Sequence, residues 1–110
     1  MGQRPRWGLA RVHGHSMTPA LRSGDRLLIA YGRRPQAGDV VVARFPDDTL
    51  AVKRVDGPRT TTTGAPGWWL LSDNPADGVD SRHRGALADD AVLGVVLLRL
   101  WPRPSWLSRR

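Results

Sequence analysis

The chain has no cysteine and no glutamate, and Lys53 is its only lysine. Without cysteine, neither a disulfide framework nor thiol catalysis is possible, and the composition fits a cytoplasmic protein without requiring one. The opening Met1-Gly-Gln-Arg-Pro-Arg6 has no apolar stretch, so no signal peptide is expected. Long hydrophobic runs are scarce as well. The best of them, Ala91 to Trp101, is interrupted by Arg99 and stopped by Pro102. It falls short of the roughly 20 apolar residues a membrane-spanning helix takes and reads as a buried strand. No internal repeat and no sustained 3.6-residue period appear. The expectation is a soluble protein with no transmembrane segment.

What is abundant is arginine. Lysine and arginine number 17 against 10 aspartates, a formal net charge of +7 over 110 residues. Such a charge suits nucleic acid, an anionic membrane surface or an acidic substrate. The arginines are scattered along the chain, so charge alone does not argue for a nucleic-acid partner, and none is expected. The five tryptophans are expected in the core, with peripheral membrane contact through Trp101 and Trp106, beside Arg103, Arg109 and Arg110, as the other reading.

Short apolar stretches alternate with glycine- and proline-rich breaks. Strands are predicted at 7–12, 26–31, 40–45, 49–55, 68–71 and 91–101, with one helical turn at 17–21. Residues 56–67 lack an apolar pattern and are predicted to be a mobile loop; 72–85 read as a long polar loop. The fold class is therefore mainly β, a single small domain of short antiparallel strands. Residues 1–6 form a basic N-terminal arm, 7–101 the folded domain and 102–110 a basic C-terminal tail.

Two side chains suggest chemistry. Gly14 and Pro19 bracket Ser16-Met17, which puts Ser16 on a tight turn with its hydroxyl outward. Lys53 lies in a strand where Ala51 and Val55 share its face, and burial there would lower its pKa. Arginine does not give up its proton in a protein, so Lys53 is the only cationic side chain able to become a neutral amine base. The pair points to a Ser/Lys hydrolase. His13, His15 and His83 lack a cysteine or carboxylate set at matching spacing; no metal and no cofactor are expected.

Three blocks then resemble, in order, the Ser/Lys proteases of the type I signal peptidase and LexA-type superfamily. Gly14-His-Ser-Met-Thr-Pro-Ala-Leu-Arg-Ser-Gly-Asp25 is similar to the nucleophile box. Gly38-Asp-Val-Val-Val42 and Val52-Lys-Arg-Val55 are similar to the lysine box, and Ser72-Asp-Asn74, Asp80-Ser-Arg82 and Gly85 to the box that supports the site. The resemblance implies a signal peptidase catalytic-core-like β fold, Ser16 as nucleophile and Lys53 as general base. It also implies that the Ser16 main-chain N–H helps bind the oxyanion, and that Gly14, Met17, Pro19, Asp73, Asn74, Asp80, Ser81 and Arg82 support the site. Members often carry a lysine-orienting serine where this chain has Gly78, so the orienting group must come from elsewhere. The membrane anchor usual ahead of the nucleophile box is not found. Among small anchorless members, the chain is most similar to the maturation proteases of nickel-type superoxide dismutase. That implies a cytoplasmic endopeptidase acting on a protein precursor, the nickel-type superoxide dismutase precursor. A basic nucleic-acid-binding module and a signal peptidase for secretory preproteins are the alternatives.

Overall fold

The structure, a computed structural model, describes residues 6–107. All of the expected basic arm except Arg6, and the last three residues of the expected tail, lie outside the described residues.

The strands are β1 (Arg6–Arg11), β2 (Arg26–Tyr31), β3 (Val40–Arg44), β4 (Leu50–Thr60), β5 (Pro66–Leu71), β6 (Leu87–Ala88), β7 (Val92–Trp101) and β8 (Ser105–Trp106). A four-residue helix α1 (Ser81–Arg84) and a 3-10 turn at Asp89–Ala91 complete the elements. Every pairing is antiparallel, in one sheet ordered β1-β2-β7-β3-β4-β5-β6 with β8 added on β7. The mainly β fold is the one the sequence predicts. The sheet continues into the segment read as a tail, because Trp106 pairs with Leu98.

The sheet buries a cluster on each of its faces. One holds Val12, Met17, Leu21, Leu27, Ile29, Val40, Val42 and Val96; the other holds Val41, Ala43, Phe45, Val55, Trp68, Leu70, Leu87 and Val95. β3 divides them. Its side chains alternate, Val40 and Val42 to one cluster and Val41 and Ala43 to the other, so both of its faces are apolar and its sequence reads as an unbroken run. Fully buried aliphatic residues such as Leu27 and Ile29 contribute about 1.5–3 kcal/mol each relative to exposure.

Three local expectations are corrected. Residues 56–60 are no loop: β4 runs on to Thr60 and pairs with β5, with a register shift between Val55 and Gly57. The bulge and the Gly57-Pro58 pair break the two-residue apolar alternation, which hid the strand. Thr61 closes the hairpin, its N–H on the Ala65 carbonyl at 2.8 Å. The long polar loop holds α1, capped by the Asp80 side chain, which accepts from Arg82 N–H at 3.0 Å. The tryptophans are mostly outside the core. Trp68 is buried, whereas Trp7, Trp101 and Trp106 are exposed. At 17–21 the chain makes the expected single turn, with Leu21 N–H on the Met17 carbonyl at 2.9 Å.

Candidate active site

Ser16 follows a bend in which Gly14 takes φ +81°, a left-handed conformation that a residue without Cβ adopts freely. His13, Gly14 and His15 are exposed and Ser16 is half-buried. The turn is fixed from behind. Asn74 donates its main-chain N–H to the Ser16 carbonyl at 2.8 Å and its side-chain Nδ2 to the His15 carbonyl at 3.2 Å. Met17 is buried in the core, and its sulfur accepts the Asp73 N–H at 3.4 Å. Pro19 is exposed on the outer side of the turn. The Ser16 N–H, assigned to the oxyanion by resemblance, donates to no acceptor among the described residues.

Lys53 comes from β4, which pairs with β3 so that Lys53 lies opposite Val41. Its strand neighbours Val55 and Ala51 pack in the cluster that also holds Val41, and Lys53 itself is 3% exposed. Burial pushes its amine below the ordinary lysine value; the Asp80 and Asp77 carboxylates pull it back up, and Arg82 lowers it further. Its Nζ donates to the Ser72 hydroxyl at 2.9 Å in a buried hydrogen bond.

Ser72 falls in the supporting box by resemblance, but sequence reasoning gave it no part in holding the lysine. Arg54 pairs with Leu71 and Val55 with Leu70, so the next step of the ladder sets Ser72 opposite Lys53. Alternation from the buried Trp68 and Leu70 points in the same direction, because Ser72 shares their face and is itself buried.

Gly78 shows how closely the groups converge. A Cβ on Gly78 would lie 2.7 Å from Ser16 Cβ, 3.1 Å from Lys53 Nζ and 3.4 Å from Ser72 Oγ. Two atoms 2.7 and 3.1 Å from one point are within 5.8 Å of each other, which bounds the separation of Ser16 Cβ from the Lys53 amine. The position where the superfamily often places a serine is thus filled to contact by the groups it would serve. A φ of +81° also favours glycine there.

Two ion pairs, Asp80 with Arg82 and Asp73 with Arg54, flank these groups. Asp80 is fully buried; its Oδ2 accepts the Ser72 N–H at 2.9 Å and Arg82 at 2.7 Å, which ties α1 to the end of β5. Burial alone would raise the Asp80 carboxyl, but the Arg82 guanidinium and the N–H groups of Ser72 and Arg82 outweigh it and hold it far below the usual carboxylate range. The pair is lopsided, since the Arg82 side chain is 42% exposed. Ser81, also buried, accepts the Leu70 N–H at 2.9 Å. The second pair is enclosed on both sides: Arg54 grips Asp73 with two hydrogen bonds of 2.8 Å and donates to the Gly38 carbonyl at 2.9 Å. Sequence reasoning named Asp73 but not Arg54.

Ser16 and Lys53 line one cleft of about 700 Å³. Leu9, Ala10 and Arg11 of β1 form one wall and Leu50, Ala51 and Val52 of β4 another, over an apolar floor that includes Ile29, Val42 and Phe45. β1 ends the sheet, and Leu50–Lys53 pair only with β3 because β5 joins β4 from Arg54 onward. Both walls therefore carry strand edges without a partner among the described residues.

A curled antiparallel sheet with a turn serine and a buried lysine lining one cleft has the make-up of a signal-peptidase-like peptidase. The chain belongs to the Peptidase S24-like family, whose pattern matches residues 3–97. It is 31% identical over 116 residues to the mitochondrial inner membrane protease subunit 1 of Schizosaccharomyces pombe (strain 972 / ATCC 24843), an alignment that spans 86% of this chain and 74% of that protein. No helix among the described residues is long and apolar enough to cross a membrane.

Proposed function

We propose that the chain is a serine endopeptidase that uses a Ser16/Lys53 dyad to remove an N-terminal segment from a precursor protein. The observation that carries this reading is the convergence of Ser16, Lys53 and Ser72 on Gly78, with Ser16 and Lys53 both lining the cleft. The substrate lies as an extended chain between β1 and Leu50–Lys53, adding main-chain hydrogen bonds to both unpaired edges. Ser16 Oγ attacks the scissile carbonyl carbon while neutral Lys53 takes its proton. The bond to Ser72 leaves the amine lone pair free to point at Ser16. The Ser16 N–H steadies the oxyanion, with the open side of Gly14 giving it room. Lys53 hands the proton to the departing amine, the C–N bond breaks, and a water deprotonated by Lys53 hydrolyses the acyl-serine and restores the hydroxyl. Asp73, Asn74, Asp80, Ser81 and Arg82 hold this geometry, and residues 7–101 form the peptidase domain.

The proposed substrate is the nickel-type superoxide dismutase precursor, on the strength of the resemblance. The proposed compartment is the cytoplasm, on the cysteine-free composition. Incubation with that precursor is expected to yield a shortened product with a new N-terminus, read by mass spectrometry. Ser16→Ala and Lys53→Arg are each expected to lower turnover by at least about a thousandfold, and the double variant little further, because groups that act as a unit lose their effect together. Lys53→Arg keeps the charge and removes the base. A folded Lys53→Arg protein that cleaves at the wild-type rate would end the dyad. A precursor that survives while signal-peptide substrates are cut would change the substrate and leave the dyad standing.

A further inference from the structure

One carboxylate close to the dyad is left open. Asp77 is exposed, and its side chain makes no hydrogen bond or ion pair among the described residues. Six other aspartates, at positions 25, 47, 48, 56, 73 and 80, each stand within 4 Å of an arginine. The place of Asp77 is fixed from two directions. The next residue is Gly78, the point on which Ser16, Lys53 and Ser72 converge. Behind it, the Asp77 N–H donates to the Asn74 carbonyl at 3.2 Å and the Ala76 N–H to Asn74 Oδ1 at 3.2 Å, while the Asn74 N–H holds the Ser16 carbonyl. The turn that carries the carboxylate is thus hooked to the turn that carries the nucleophile. Asp77 also acts on Lys53, whose ammonium it favours as Asp80 does. Ser16, Lys53 and Val79 line the cleft, whereas His15, Asn74 and Asp77 do not.

On the Ser16/Lys53 reading, we propose that Asp77 selects the leaving segment of the substrate, by pairing with a lysine or arginine in one of the first two positions after the cut. The cleft takes the chain before the cut, so the chain after it departs past the side of Ser16 where Asn74 and Asp77 stand. Charge complementarity sets the class of side chain: a cation is drawn to this carboxylate and an acidic residue is repelled. The effect is modest, because an exposed ion pair shifts an equilibrium by about fivefold at most. Pairing also withdraws Asp77 from Lys53, so a cationic substrate loosens the proton that the base has to lose. The other charged and titratable groups around Lys53 are Asp80 and Arg82, with Arg11, His13, Asp47 and Arg84 along the cleft and His15 on the serine turn. All of these are common to every substrate and cancel when two substrates are compared.

The test uses the full chain and peptides that span the cut of the nickel-type superoxide dismutase precursor, with Lys, Gln or Glu in the first or second position after it. The wild-type kcat/KM should favour Lys over Gln by about fivefold and Gln over Glu by a similar factor, and the spread should narrow in high salt. Asp77→Asn should level the three peptides. Asp77→Lys should turn the order round in favour of Glu, which a merely structural role for Asp77 does not give. The acid limb of kcat should lie at lower pH for the Lys peptide than for the Gln peptide, and the gap should close in Asp77→Asn. Asp77 is exposed, and an unchanged thermal midpoint shows that each variant is folded. Peptide binding to Ser16→Ala, followed by fluorescence anisotropy, reads the same preference without turnover. A wild type that cleaves none of the peptides while Ser16→Ala still prefers Lys rejects the dyad and leaves the role of Asp77 standing. Equal binding and equal rates for the three peptides, including no binding of any, overturn that role. So does a Lys preference that survives Asp77→Asn.

Discussion

The two halves of the candidate dyad are held in opposite ways. Lys53 sits mid-strand, buried among Val41, Ala51 and Val55, with a hydrogen bond to Ser72 and the enclosed Arg54–Asp73 pair immediately behind it. Ser16 sits on an exposed turn, and its side chain makes no hydrogen bond among the described residues; what fixes it is its carbonyl, taken by Asn74, and the burial of Met17 next to it. The contrast follows from the chemistry asked of each. A lysine becomes a base only where water is kept from its ammonium, whereas a nucleophile has to meet a substrate arriving from solvent. One segment, Ser72–Asn74, reaches both halves, with the Ser72 hydroxyl on the lysine and the Asn74 N–H on the serine turn.

The contrast can be broken from the lysine side first, where the largest effect is expected. Asp73→Ala breaks a buried ion pair in which the Arg54 side chain is 11% exposed, at a cost of about 3–5 kcal/mol in urea unfolding. A loss below about 1 kcal/mol would place the pair with ordinary surface ion pairs and remove the claim that the lysine side is the rigid one. Gly78→Ala acts on the contact between the halves. Its Cβ would press to 2.7 Å from Ser16 Cβ, and a displacement on the order of 1 Å at a reacting group costs about a hundredfold in rate. Turnover should fall by about that factor in a protein that still folds; an unaffected rate would mean that Ser16 does not react where it stands. Ser72→Ala is expected to lower turnover by about tenfold, through loss of one buried hydrogen bond that orients the amine, with Ser72→Thr recovering most of it. Equal rates in Ser72→Ala and Ser72→Thr would show that the hydroxyl does not position the base.

The same contrast explains what could be read from sequence. Ser16 was legible because turns announce themselves through glycine and proline, and Lys53 because it is the single lysine on an apolar face. The strand that carries it was legible only to Val55. Beyond that point the bulge before Gly57 changes the phase of the alternation, so the register of β4 against β5, and with it the meeting of Lys53 and Ser72, is set by tertiary pairing. Arg54 was hidden for a related reason: on alternation it belongs to the face opposite Lys53, and nothing in the local pattern says that Asp73 and the Gly38 carbonyl wait there. Gly78 was visible as a departure from the resemblance, but its tight fit against three side chains is a property of the folded chain. The outer tryptophans misled because size and apolarity argue for burial, while strand partners decide which face each one takes.

The smallest effect is the most direct probe of how dry the lysine side is. Burial lowers the pKa of Lys53 in the folded chain below its ordinary value of 10.5. As pH rises, the folded state gives up this proton while the unfolded chain still holds it, so between the folded value and 10.5 the unfolded state binds more protons and folding becomes more favourable with pH. Lys53→Met keeps the length and apolar bulk of the side chain and cannot titrate. The stability of the wild type relative to Lys53→Met should therefore rise as pH is taken from neutral towards 10.5, measured as the difference between urea midpoints. Asp80 and Asp77 stabilise the ammonium and blunt the rise, so Asp77→Asn introduced in both proteins should steepen it. A difference that stays flat across the window would mean that the folded chain holds this proton as firmly as the unfolded one, and the lysine would then lack the property that sets it apart from the serine side.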